Sequence, residues 1–105
     1  MEPGLDLHEW ETRWQELEEE ARDDPASALP EIDRLVEEML VESGYDTDAV
    51  GASGDDVEIV RQFVAAREVT RRADAGDDVD PGDIADAING YRALYEHITT
   101  ERPGP

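Results

Sequence analysis

Side chains that commonly do chemistry are sparse in this sequence and poorly placed to cooperate. The two histidines, His8 and His97, lie near opposite ends of the chain, and each falls off the apolar stripe of its helical segment. Metal binding and acid–base catalysis need such residues clustered at ligand spacing, so both read as surface side chains. His8-Glu9 begins like a zinc-protease helix, but Thr12 stands where the second histidine belongs. No Glu-x-x-His pair of the kind that builds a di-iron bundle site occurs, and there is no cysteine for a disulfide or a thiolate ligand.

Asp46-Thr47-Asp48 with Gly51 invites comparison with a calcium loop, whose oxygen ligands alternate around a glycine at the sixth position. Val50 then occupies the fifth position and Val57 the twelfth, where a bidentate glutamate closes the cage. The segment reads as an ordinary connecting loop. Phosphate-cradling glycine loops, nucleophile elbows and serine–histidine–aspartate sets are absent in recognisable form. With 29 acidic residues, carboxylate pairs can be drawn anywhere, and none carries meaning without geometry. The expectation is no catalytic residue, no metal site and no cofactor.

Arginines and aromatics are more informative. Arg67 and Arg71 continue the stripe of Val60, Phe63 and Val64, which turns them toward the core or its edge. Their stems can pack while the guanidinium groups reach water or a nearby carboxylate. Alternatively they form an anion or carboxylate pocket near Tyr91 and Tyr95, or the centre of a homodimer interface. Trp10 and Trp14 sit one turn apart on the stripe of Leu7 and Leu17. Core packing is the expectation for them, and a partly covered face would make them interface anchors.

Four elements must position these residues. Leu7, Trp10, Trp14, Leu17 and Ala21 recur at spacings of three and four, with Asp6 and Glu9 as a capping pair. Asp24-Pro25 opens a second segment whose apolar face runs from Ala28 to Leu40 and which stops at Gly44-Tyr45. Within it, Pro30 either kinks one helix or starts another. Asp55 and Glu58 repeat the capping pattern before Val57, Val60, Phe63 and Val64. Asp80-Pro81 opens the fourth segment, with Ile84, Ala87, Ile88, Tyr91, Leu94, Tyr95 and Ile98 on one face. No stretch alternates with period two. The pattern predicts one all-α domain over 1–105, a compact four-helix, bundle-like fold without β-sheet. Its helices are expected at about 6–22, 25–43, 55–75 and 81–101, with frayed ends at 1–4 and 103–105.

Composition limits the partners. All nine basic residues are arginine, and the formal net charge is −20. Residues 1–50 carry 17 acids and three arginines, whereas 51–105 carry 12 acids and six arginines, so the N-terminal half is the acidic pole. Direct nucleic-acid or anionic-membrane contact is disfavoured because phosphates need clustered positive charge. An acidic, lysine-free surface is also a salt-adapted style. Neither a signal-like segment nor a membrane-length apolar run is present, which reads as cytoplasmic. The sequence thus points to a non-enzymatic acidic helical protein-interaction module that self-associates or serves as a small adaptor. Its candidate residues are Trp10, Trp14, Arg67, Arg71, Tyr91 and Tyr95. Two other readings compete: an acidic decoy, nucleic-acid mimic or antitoxin-like, of a basic nucleic-acid-binding protein, and a small-ligand binder in the bundle interior.

Overall fold

The structure, a computed structural model, describes the backbone of residues 3–45 and 55–101 and the side chains of 8–45 and 57–100. It is all-α: helix α1 spans Pro3–Asp23, α2 Pro25–Glu42, α3 Asp55–Asp74 and α4 Pro81–Glu101. The calcium-like stretch Asp46 to Gly51 lies outside the described residues.

Local chemistry accounts for most of the helix ends. Asp24 caps α2 by accepting the Ser27 amide at 3.3 Å, and Pro25 needs no donor at the first helical position. At the other end, Tyr45 N donates to Leu40 O at 2.9 Å and Gly44 N to Val41 O at 3.1 Å. This pair of bonds needs the left-handed backbone at Gly44, where φ is 92°. The end of α3 repeats the device: Asp77 N bonds Arg72 O, Gly76 N bonds Ala73 O, and φ is 88° at Gly76. The start of α1 departs from expectation. Its helix begins at Pro3, so Asp6 stands inside the helix. A proline at the first position lacks only an amide that would be unsatisfied there anyway.

Pro30 lies within an uninterrupted α2, so the helix neither ends nor restarts there. The Ala26 carbonyl loses its i+4 donor, and burial of the helix on both sides of that gap offsets the loss. Eight residues of α2 are buried, including Leu29, Ile32, Leu35, Val36, Met39 and Leu40. This helix packs on each of the other three, while α3 and α4 pack on one another and α1 packs chiefly on α2. The core around it joins Trp10, Trp14 and Leu17 of α1, Phe63 and Ala66 of α3, and Ala87, Tyr91, Leu94 and Ile98 of α4. The resulting body is flattened, with extents of 43 × 31 × 18 Å. No described helix is long and apolar enough to cross a membrane.

Candidate functional site

The densest polar chemistry lies where α2, α3 and α4 meet. Asp33 projects from the edge of the apolar face of α2 and is buried. Arg67 of α3 approaches it side-on, with Nη2 2.7 Å from Oδ1 and Nε 3.2 Å from Oδ2. The Tyr91 hydroxyl of α4 donates to Oδ2 at 2.6 Å. Thr70 Oγ1 lies 2.7 Å from the Tyr91 oxygen and 3.0 Å from the Ala66 carbonyl, so its single proton is shared between these two acceptors once the Tyr91 proton goes to Asp33. Arg67 completes its own set with Glu37 at 2.6 Å and by placing its guanidinium carbon 4.6 Å from the Phe63 ring centre.

Electrostatics follow from this closure. Burial, reinforced by the bond to Asp33, pushes the Tyr91 phenol far above its ordinary value. The hydrogen bond to Asp33 raises Arg67 against the opposing effect of burial, and Glu37 adds to it. Both carboxylate oxygens of Asp33 are thereby engaged. The arrangement holds three helices in register, and its groups are saturated by one another. A shallow depression of about 390 Å³ lies over it, with Arg34, Arg71 and Asp74 on the rim.

Of the residues expected to form an interaction face, Trp10, Trp14 and Tyr91 are enclosed in the core. Trp14 stacks on Tyr95 at 4.6 Å with 8° between the rings, and Trp10 Nε1 donates to Glu38 at 3.1 Å. Tyr95 is half-buried, its phenol raised first by burial and then by Glu11, Glu18 and Glu96. Arg67 is held by Asp33 and Glu37, and only Arg71 of the six is exposed. These residues therefore do not make an exposed aromatic surface. A chain with six aromatics lacks the apolar area to leave its largest rings outside. Nor do Arg67, Arg71, Tyr91 and Tyr95 line one interior pocket: Tyr91 meets Arg67 at Asp33, whereas Tyr95 lies against Trp14 of α1.

His8 is exposed as expected, whereas His97 is half-buried with its ring nitrogen 3.2 Å from the Tyr45 hydroxyl. Sequence reasoning missed Asp33. Its signal was available, because Leu29, Asp33, Val36 and Leu40 form one row at helical spacing in which a single member is charged.

Two of the open surfaces among the described residues bear on possible partners. Between α3 and α4 runs a groove of about 510 Å³, its floor formed by Ala66, Val69, Ala87 and Gly90. Between α1 and α2, Glu20 meets Glu31. Partial desolvation, then the charge of Glu31 and a side-chain hydrogen bond to it, and last Asp24, raise the Glu20 pKa, so these acids lie close together. Comparison with protein-family models, with curated proteins and with solved structures finds no match to this chain.

Proposed function

We propose that this chain is a non-catalytic protein-interaction module that works by self-association. The observation that carries the reading is the open groove along α3 and α4, which lies in the less acidic half of the chain. The saturation of Asp33, Arg67 and Tyr91 by one another supports a structural task for that network. The large aromatics serve the fold, and the interface falls to small side chains on α3 and α4. Molar mass by light scattering during size-exclusion chromatography tests this. The expected value rises toward twice 11.7 kDa with protein concentration and with salt, because salt screens repulsion between copies of charge −20. A monomer at every concentration and salt would remove self-association as the function.

A second reading, an acidic decoy for a basic protein, is favoured by the crowded Glu20 and Glu31 carboxylates, whose repulsion a cationic partner would relieve. It expects tight binding to particular basic proteins that weakens as salt rises, the opposite sign to self-association. Equal retention on any polycation would reduce it to nonspecific charge attraction. The partner in either reading is a protein, with no direct nucleic-acid or membrane contact.

A further inference from the structure

Resting on the self-association reading, we infer that the α3/α4 groove is the docking surface for a second copy of this chain, related by a two-fold axis parallel to the groove. The argument begins with the order of residues along it. The short connection Ala75 to Asp80 makes α3 and α4 antiparallel neighbours, and a side chain at Gly90 would meet Ala66 and Gln62. The end of α3 therefore lies level with the start of α4, which puts Arg72 at the same height as Asp83.

Charge decides the orientation. The α4 rim of the groove carries Asp83 and Asp86; on α3, exposed Arg72 follows Ala65 by two helical turns and so falls on the same side of the helix, outside the groove's own lining. None of these three charged residues forms an ion pair among the described residues. A two-fold axis along the groove lays α3 of one copy over α4 of the other and keeps heights unchanged. Each Arg72 then faces Asp83 and Asp86 of the second copy, twice by symmetry. An axis across the groove would instead place like rims together.

The same geometry keeps the most acidic helix out of the contact between two molecules of charge −20. Acidic α1 packs on α2 rather than α3 and meets α4 through Arg92 and Tyr95. At 100° per residue Arg92 and Gly90 lie on opposite sides of α4, so docking at the groove holds the acidic poles apart. The small floor residues let the facing helices approach closely. Helices of 20 and 21 residues are ~30 Å long and, each about 10 Å wide, together present a face roughly 20 Å across, which offers at most about 600 Å² per copy. The total of about 1,200 Å² is at the lower end of specific interfaces and fits a reversible dimer.

The test is the concentration dependence of molar mass for the full chain and three variants, each checked for native helix content by circular dichroism. Ala65→Glu adds charge at an exposed helical position beside the floor and is expected to yield monomer. Arg72→Glu is expected to weaken the dimer about tenfold through two symmetry-related contacts. Arg72→Glu combined with Asp83→Arg restores the opposite-charge pairing and recovers most of the loss. A parent dimer that all three variants leave unchanged overturns this surface while self-association stands elsewhere. A parent chain that is monomeric throughout overturns both.

Discussion

At the residue scale, Asp33 dominates because one carboxylate satisfies donors from two other helices. Asp33→Ala leaves the Arg67 cation, about one-fifth exposed, with Glu37 as its remaining carboxylate partner. The expected loss is about 3 kcal/mol in urea unfolding. Tyr91→Phe keeps the ring against Phe63 and removes only a hydroxyl, for a loss of about 1–2 kcal/mol. A double-mutant cycle would separate their coupling, and independent effects would contradict a shared network. Alkaline pH gives a second reading of the same site. Tyr91 is raised in the folded state, so its contribution is fully present below the unfolded value near 10. As pH rises beyond that value the unfolded chain releases the proton and the native state retains it. Stability falls by up to about 1.4 kcal/mol per pH unit from this residue. Unfolding between roughly pH 10 and 12 is expected to have a shallower pH slope in Tyr91→Phe than in the parent. The position of Arg67 was legible from its stripe, whereas its partner was not, since spacing along one helix cannot name a carboxylate on another.

At the element scale, the strongest sequence signals were prolines and glycines with a specific backbone task. Pro25, Gly44 and Pro81 mark helix ends as their chemistry requires, and those boundaries were legible. Pro30 was ambiguous because the local cost of a proline and the gain from one continuous buried face oppose each other. Burial won across α2, with Ala28 and Leu29 before Pro30 and Ile32 after it all enclosed. The cost nevertheless remains in the folded state. Pro30→Ala restores an amide that can donate to the Ala26 carbonyl and is expected to stabilise the protein by about 1–3 kcal/mol, partly offset by greater unfolded-chain entropy. Thermal and urea unfolding would measure this directly, and a destabilised variant would mean that the ring's packing over the Asp33 depression outweighs the missing hydrogen bond. The α1 start was misread for a related reason: Asp6 and Glu9 make a good local cap pattern, but Pro3 offers an earlier start with no donor to satisfy.

At the scale of the whole molecule, four helices were legible from periodicity, but the central position of α2 was not. Packing order depends on which faces exclude water together, and each helix presents a stripe of similar width in one dimension. Charge was legible in amount and in its bias to the N-terminal half, and it sets the last expectation. Most of the 29 acids have no arginine to pair with, since there are nine in all. Folding draws these charges together; at ~10 Å in water each uncompensated pair costs about 0.4 kcal/mol before screening. Several such pairs together penalise the folded state at low salt, and the crowded Glu20 and Glu31 act in the same direction. Raising sodium chloride from roughly 0.1 to 1 M shortens the Debye length from about 10 to 3 Å and removes most of that repulsion. The midpoint of thermal unfolding is therefore expected to rise by about 10 °C, equivalent to ~2 kcal/mol for a domain of this size. Glu31→Gln should raise the midpoint at low salt and flatten the response, because it removes a repulsive partner of Glu20 without disturbing the core. A midpoint indifferent to chloride in the parent chain would mean that the acids are already far enough apart to ignore one another, leaving the charge to act only between molecules.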